Sequence, residues 1–257
     1  MPVSSLNPYQ YAFNSFTFGA GTNYGIELVD GLTSLPPLRT QDDNRGYIDG
    51  SYSGRDFYDA RTVTMDFVIV GDSSHSAHYY YTIFQQNLAP QQLGYPSSLG
   101  LFQFKITAAS GLNYMYGRVR ALTAEIDPDF AYGKIVGTVT FFFPDPRYYD
   151  YPNTTGSGSS VSIANAGWAT TCPVITISSA AASFNITDGT TTMYFGGVTA
   201  GATIVIDTLQ RTITQNGTAN RSLFVSGFTW LSVPAATTST WTISTGTMSV
   251  VYTDAYV

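Results

Sequence analysis

An apolar run that stops at two prolines constrains this chain more than any other stretch. Residues 134–143 alternate like a strand, with Val139 and Phe141 on the same side. Pro144 and Pro146 cannot donate to a β-ladder, so strand pairing must stop at or near them. We therefore predict that a first domain ends at this point and that a second domain follows it.

The predicted division has three parts. The first domain covers residues 1–150, a flexible linker covers 151–160, and the second domain covers 161–257. The linker is predicted from its Gly, Ser and Thr content. A chain of 257 residues with 44% hydrophobic content can bury one core in each half.

Composition indicates short strands and excludes several kinds of protein. The 24 glycines and 12 prolines suit strands and tight turns better than long helices. A net charge of −6 without a Lys/Arg-rich block argues against a protein that grips nucleic acid. Cys172 is the single cysteine, so neither an internal disulfide nor a thiolate zinc site is expected. Neither an N-terminal signal nor a membrane-length apolar run is visible, so we expect assembly in a cytoplasm.

The first domain is predicted to be mostly antiparallel with one helix. Residues 61–70 have the clearest strand pattern, since apolar and polar side chains alternate throughout. From Ser76 to Leu88 the period becomes helical, and Pro90 follows the end. Residues 99–122 read as a hairpin. These patterns indicate a β-rich, split-barrel-like domain with one short helix at about 76–88.

Residues 41–56 concentrate charge on a glycine-rich loop. The charged side chains are Asp42, Asp43, Asp49 and Asp56 beside Arg45 and Arg55. A catalytic or metal-binding role is possible, but the acidic spacing does not match an EF-hand, which needs a bidentate Glu at its twelfth position. Ion pairing within or between subunits is the preferred interpretation, so these six residues are candidates for a subunit interface.

The two histidines carry little chemical signal. His75 and His78 lie three residues apart near the predicted helix start, where a pair could share a metal. No acidic or Cys ligand has helical spacing to them, so solvated or interface histidines are the preferred interpretation. The sequence predicts no metal and no cofactor.

The second domain is nearly free of charge. From residue 161 onward the charged residues are Asp188, Asp207, Asp254, Arg211 and Arg221. Short runs at about ten-residue spacing, separated by turns such as Asp188-Gly189 and Asn216-Gly217, are typical of a β-sandwich.

Two features of this half allow a binding role. Three tryptophans, Trp168, Trp230 and Trp241, could stack on a sugar, although core or interface packing is more common. A hairpin across residues 203–215 would bring Asp207 and Arg211 near each other, and such a local pair contributes little if exposed.

Four groups of residues together resemble one family. They are Tyr24-Gly25-Ile26, Asp30-Gly31-Leu32, Leu35-Pro36 and Arg39; Phe143 to Tyr149; Asn165 to Ala169 with Cys172 to Ile177; and Gly201 to Asp207 with Arg211-Thr212-Ile213 and Gly217. The set is similar to the distal tail proteins (Dit) of long-tailed, non-contractile bacteriophages, the siphovirus tail-tip hub proteins. The likeness spans nearly the whole chain.

The resemblance implies a structural virion protein that forms a hexameric ring at the distal end of the tail. The first domain would form the ring and meet the tail tube protein. The second, galectin-like sandwich would meet receptor-binding proteins, a tail-tip hub or tail-associated proteins. The family is not enzymatic, so no catalytic residue carries over. DNA would pass through the lumen unbound, and acidic loops at residues 42–56 and 125–129 are candidates to line it.

Three other functions remain open. An enzyme would need a recognisable constellation, and the chain has no Gly-x-Ser-x-Gly elbow, no His-Glu-x-x-His and no P-loop. The sequence does not exclude a glycoside hydrolase, because the fold can bring together two carboxylates that are far apart in the chain. A lectin-like tail module for host adsorption would also suit the aromatic, Thr-rich second half. Another tail scaffold or tube protein is the third alternative.

Overall fold

The computed structural model describes residues 3–46, 48–49, 51–89, 99–125, 133–178, 180–227 and 229–257. The chain divides into two compact units, Met1–Tyr148 with Val257 and Tyr149–Tyr256. Each unit has its own buried hydrophobic core. The predicted fold class is confirmed for the described residues: the chain is mainly β, with a single α-helix in the first unit and a β-sandwich in the second.

The elements of the first unit follow one another in this order: β1 (Gln10–Phe13), β2 (Phe16–Gly19), β3 (Tyr24–Asp30), β4 (Leu38–Arg39), β5 (Asp43–Asn44), β6 (Ser51–Tyr52), β7 (Phe57–Tyr58), β8 (Arg61–Val70), α1 (Ala77–Leu88), β9 (Gly100–Lys105), β10 (Leu112–Glu125) and β11 (Lys134–Phe143). None of the helices in the described part of the chain has the length and apolar character of a membrane span.

Strand β12 (Tyr148–Tyr151) begins at the end of the first unit. The elements that follow are β13 (Thr154–Gly158), β14 (Ser160–Asn165), β15 (Val174–Ile177), β16 (Ser183–Thr187), β17 (Thr192–Gly196), β18 (Ile204–Asp207), β19 (Thr212–Gln215), β20 (Thr218–Ala219), a 3-10 helix (Arg221–Leu223), β21 (Phe224–Ser226), β22 (Thr237–Ile243), β23 (Met248–Tyr252) and β24 (Ala255–Tyr256).

The first unit is built on one antiparallel path of strands, β2-β1-β9-β10-β11-β8-β3. Its centre is the long pair β8 and β11, in which Val63 lies opposite Phe141 and Met65 opposite Val139. All four side chains are buried. The strict alternation of these strands places one face in the core, because successive side chains point to opposite sides of a sheet.

Helix α1 packs on the aromatic core where the two ends of this path approach each other. Phe16 of β2 and Tyr24 of β3 meet edge to face, with ring centroids 5.0 Å apart. Phe84 of α1 packs against both rings and lies 4.7 Å from the ring of Phe67. The hydroxyl of Ser76 accepts from the backbone N–H of Tyr79 and caps the helix start. Aromatic packing thus joins edge strands that share no backbone ladder.

A buried arginine connects three segments of the first unit. Arg61, only 1% exposed, opens β8. Its Nη1 donates to the carbonyl oxygens of Gly31, Leu32 and Ser34 at 2.7–2.8 Å, and its Nε donates to Pro146 at 2.9 Å. Burial lowers the pKa of Arg61, although a guanidinium keeps its charge in proteins. Carbonyl dipoles therefore compensate a buried cation.

The second unit packs two antiparallel sheets around one core. One sheet has the order β13-β23-β15-β18-β19-β20 and the other β14-β22-β16-β17-β21. Alternating side chains of both sheets fill the space between them, and Trp241 is fully buried there. This is the arrangement expected of a sandwich whose strands alternate inward and outward positions.

The predicted linker at residues 151–160 is wrong in its central part. Residues 154–158 form β13, which pairs along its whole length with β23. A ladder needs only backbone groups, so a Gly/Ser/Thr sequence without apolar alternation can still pair. Gly156 also allows close packing, since a Cβ there would lie 2.6 Å from Cγ1 of Val161. The glycine at this position provides space for a neighbouring side chain.

Replacing Arg61 should destabilise the first unit strongly. In Arg61→Met the four carbonyl groups lose their buried donor, and we expect a loss of about 3 kcal/mol in the free energy of opening of β8. Hydrogen exchange of the β8 amides measures that free energy. The exposed Arg39→Met is the control and should change it by less than about 0.5 kcal/mol. A loss below about 1 kcal/mol for Arg61→Met would contradict this assignment.

Candidate interaction surface

The charged loop of the sequence is part of a projecting β-ribbon, defined here as residues 37–59. Two short ladders form it, β4 with β7 and β5 with β6. The backbone N–H of Asp59 donates to the carbonyl of Pro37 at 2.8 Å and closes its base. Gly54 is required near the middle, because a Cβ there would collide with the backbone of Gln41.

The ribbon carries apolar side chains although all of its described residues are exposed. Leu38 and Tyr58 lie opposite each other in one ladder and are 55% and 46% exposed. Ile48 and Tyr52 are 72% and 63% exposed. Single exposed apolar residues are ordinary, but several on one narrow projection are typical of an interaction surface.

The arginines of the ribbon lie over its aromatic rings. The guanidinium carbon of Arg45 is 4.8 Å from the ring centre of Tyr52. Those of Arg39 and Arg55 are 5.8 Å and 5.3 Å from the ring centre of Phe57. These distances are in the range of cation–π attraction, which contributes about 0.5–1 kcal/mol at exposed sites. The contacts stiffen the ribbon without burying its charges.

The structure places all six predicted interface residues, Asp42, Asp43, Arg45, Asp49, Arg55 and Asp56, on the ribbon. A carboxylate oxygen of Asp42 accepts from the backbone N–H of Gly54 at 3.0 Å. Within the described residues, no ion pair joins any two of the six. The ion pair that the structure shows, Arg147 with Asp145 at 2.8 Å, lies elsewhere. Sequence reasoning missed the aromatic partners, whose signal was the interleaving of Arg with Tyr and Phe.

The second acidic loop proposed for the lumen, residues 125–129, lies outside the described residues beyond Glu125. Its role as a lining segment therefore stays a prediction. The same holds for the role of the ribbon residues as a subunit interface or lumen lining.

The histidine segment forms a capped helix start. One carboxylate oxygen of Asp72 accepts from the backbone N–H groups of Ser74 and His75, both at 2.8 Å. The other accepts from the hydroxyl of Tyr80 at 2.6 Å. The imidazole of His75 stacks on the ring of Tyr79 at 4.1 Å. Among the described residues, no cluster of three or more potential His, Cys, Asp or Glu ligands is present.

The three tryptophans of the second unit have different environments. Trp241 is a core residue whose Nε1 donates to the hydroxyl of Ser239 at 3.0 Å. Trp168 is 63% exposed and meets the ring of Tyr256 at 4.7 Å. Trp230 is partly buried. Only the last two can present a ring surface to a ligand.

The predicted hairpin at residues 203–215 is present as β18 and β19, but its acidic residue has a different partner. A carboxylate oxygen of Asp207 accepts from the backbone N–H groups of Leu209 and Gln210 at 2.9 Å and 2.8 Å. In the described part of the chain no ion pair joins Asp207 to Arg211. The carboxylate stabilises the turn itself, as Asp side chains commonly do.

Comparison with known proteins agrees with the resemblance seen in the sequence. Residues 166–256 match the model of the siphovirus-type tail component, C-terminal domain (SPP1_Dit). The chain is similar to the crystal structure of the Dit protein (gp 19.1) of phage SPP1, described as a paradigm of the hub adsorption apparatus in phages that infect Gram-positive bacteria. That match has a TM-score of 0.72 and 16% identity, and it covers 96% of this chain and 99% of the other.

A second similarity is to the baseplate of phage p2. Chains of its activated conformation, with strontium and with calcium, each match with a TM-score of 0.54 and 10% identity over 95% of this chain and 97% of theirs. No curated protein sequence matches the chain. The predicted Dit resemblance is thus confirmed through the C-terminal domain and the shared fold.

The hydrogen bond from Tyr80 should control the titration of Asp72. That bond, followed by those from the backbone of His75 and Ser74, lowers the pKa of Asp72 to about 2, and the bond raises the pKa of Tyr80 to about 12. Because the folded pKa of Asp72 is depressed, its stabilising effect is present above about pH 3.9 and is lost as the pH falls through about 2.

NMR titration of the Asp carboxyl carbons measures this effect. Tyr80→Phe should raise the pKa of Asp72 toward its ordinary value, whereas Tyr79→Phe, which leaves the bond intact, is the matched control. An unchanged Asp72 midpoint in Tyr80→Phe would show that the backbone donors suffice.

Proposed function

We propose, from the match of residues 166–256 to the siphovirus-type tail component model, that this chain is the distal tail protein of a long-tailed, non-contractile bacteriophage. In this function it forms a hexameric ring that joins the tail tube to the tail tip or baseplate. The support beyond the family is the shared fold, which covers nearly the whole of a tail hub protein. In this proposal the chain has a structural role in the assembled phage particle.

The single observation that carries the ring is the exposed ribbon. An isolated subunit would leave Leu38, Tyr58 and Ile48 in water on a narrow projection. Contact with a neighbouring subunit would remove that apolar surface from water at about 25 cal/mol per Å². In the proposed ring, the ribbon contacts a different surface on the next copy. Contacts of this head-to-tail kind generate a closed ring when the rotation between neighbours closes, and an open filament when it does not.

The ring would have defined neighbours at the distal end of the tail. We propose that the first unit contacts the tail tube protein and that the second contacts a tail-tip hub, tail-associated or receptor-binding proteins. Assembly takes place in the host cytoplasm in this proposal. The net charge of −6 lets DNA pass through the lumen without adhering, because like charges repel.

The mass and rotational order of the purified particle test this function. We expect a species of six times the 27.8 kDa chain mass, with six-fold averages in negative-stain electron microscopy. A stable monomer, an open filament or a closed ring of another order would contradict the hexamer. The filament would favour a tube protein.

The apolar pair on the ribbon should be needed for that particle. Leu38→Glu with Tyr58→Glu places two charges in the proposed interface, and we expect at least a tenfold loss of ring at equal concentration. Tyr194→Glu with Val225→Glu is a matched control, since these side chains of the second unit are also exposed, at 47% and 67%. Native mass spectrometry measures the ring fraction. Full ring assembly by the ribbon variant would show that the ribbon is not part of the subunit interface.

The ribbon arginines provide a separate test. Arg45→Glu with Arg55→Glu removes two cation–π contacts and increases the negative charge of the ribbon, so we expect impaired ring assembly that is partly restored by high salt. The conservative Arg45→Lys with Arg55→Lys keeps the charge and should assemble. If the Glu variant forms unchanged rings, these two positions do not contact a neighbouring subunit.

A further inference from the structure

A pocket with a volume of about 240 Å³ lies in the second unit. Residues of three separate segments line it, including Thr170, Cys172, Thr208, Arg211, Trp230 and Ser232. Pockets for drug-sized ligands usually measure about 300–1,000 Å³. This volume therefore suits a single small ring better than an extended chain.

Hydrogen bonds fix the positions of the three segments that line the pocket. Thr171 and Val233 exchange two backbone hydrogen bonds, at 3.0 Å and 2.9 Å, and so fix two of the three segments side by side. The buried hydroxyl of Thr208 donates to the carbonyl of Pro173 at 2.8 Å and ties in the third. A preformed site binds with less loss of conformational entropy than one that must order first.

The indole of Trp230 is oriented by a neighbouring ring. It stacks on Phe224 with centroids 5.3 Å apart and planes 16° from parallel, and it remains partly accessible. Tryptophan combines a large apolar face with a polar N–H, which suits ligands that are apolar on one side and hydrogen-bonding on the other. The C–H face of a sugar ring with its surrounding hydroxyl groups has this character.

Arg211 adds a charge that the second unit otherwise almost lacks. From Tyr149 to Tyr256 the only Lys or Arg residues are Arg211 and Arg221. Arg211 has φ +55°, a left-handed conformation in which glycine or asparagine is usual. The turn that holds it in place is the one capped by Asp207. An exposed guanidinium beside hydroxyl groups is suited to a carboxylate or phosphate, which it can bind through two parallel hydrogen bonds.

We propose that this pocket binds one sugar residue that carries an acidic group, either a carboxylate or a phosphate. Arg211 would bind the acidic group, the indole of Trp230 would pack on the ring, and the hydroxyls of Thr170 and Ser232 would bond to those of the sugar. This site goes beyond the structural role, because it gives the second unit a ligand on a glycan. Ring assembly does not depend on it, so failure of either proposal leaves the other intact.

The test is a titration of the full chain, followed through the indole N–H signal of Trp230 in NMR spectra. The probes are glucuronate, glucose 6-phosphate, glucose and inorganic phosphate. We expect saturable binding of one or both acidic sugars with a dissociation constant of about 1 mM, the range of a ligand this small. Binding of glucuronate would identify the acidic group as a carboxylate, and binding of glucose 6-phosphate would identify it as a phosphate.

Two variants locate the site. Arg211→Gly relieves the left-handed strain, so its melting temperature should not fall, while affinity for the acidic sugar should drop at least tenfold. Trp230→Leu should lose affinity to a similar extent, read from ligand-detected saturation transfer. Arg221→Gln, which changes the other cation of the unit, should bind as the unchanged chain does.

Four results would overturn the proposal. They are no binding of either acidic sugar at 20-fold the expected constant, equal binding of neutral glucose, inorganic phosphate binding as tightly as the sugars, and full affinity in Arg211→Gly. The last outcome stands even if Trp230→Leu fails to fold, because the glycine variant tests the site at a position where the backbone favours the change.

Discussion

The first unit depends on one buried charge. Arg61 stands two residues after the ribbon ends, and its guanidinium binds carbonyls of the segment 31–34 that precedes the ribbon. Together with the backbone hydrogen bond from Asp59 to Pro37, this side chain therefore fixes the base of a ribbon whose own described residues are all exposed. The bond from its Nε to Pro146 secures the segment after β11 as well. An exposed ribbon of only two short ladders would be only marginally stable alone, since isolated hairpins are barely stable in water. The hydrogen bonds at the base of the ribbon therefore determine its position.

The same hydrogen bonds of Arg61 would favour the proposed interface on so polar a segment. Ordering a loop on binding costs roughly 1–2 kcal/mol per residue in backbone entropy. A ribbon that is already fixed at its base and stiffened therefore loses less conformational entropy on contact. Arg39 and Arg55 on either side of Phe57 add to that stiffness without removing charge from the surface. In the proposed contact, the apolar pair Leu38 and Tyr58 would supply the area to be buried, while the acidic residues of the ribbon would keep the free subunit soluble.

The sequence predicted those parts of the fold that depend on local pattern. Period-2 alternation found β8 and β11, the change of period found α1 within one residue of its start, and spaced turns found the sandwich. The burial of Arg61 was not predictable, because its acceptors lie up to 85 residues away and are backbone carbonyls, which leave no side-chain signal. For the same reason β13 was mistaken for a linker. Of the candidate site, the exposure and location of the six charged residues followed from composition, but their aromatic partners depended on hairpin register.

The two units differ in the forces available for contact. Charged residues are concentrated in the first, so its contacts include long-range attraction and repulsion that salt can screen. The second has mostly hydroxyls and amides, with four aspartates and two arginines, and hydrogen bonds of neutral groups act only at contact distance and only in favourable directions. A surface of that kind discriminates partners by shape and by the placement of donors and acceptors. In the site proposed above, Arg211 would supply the charge attraction to an acidic group, and the neighbouring hydroxyl groups would supply the directional hydrogen bonds.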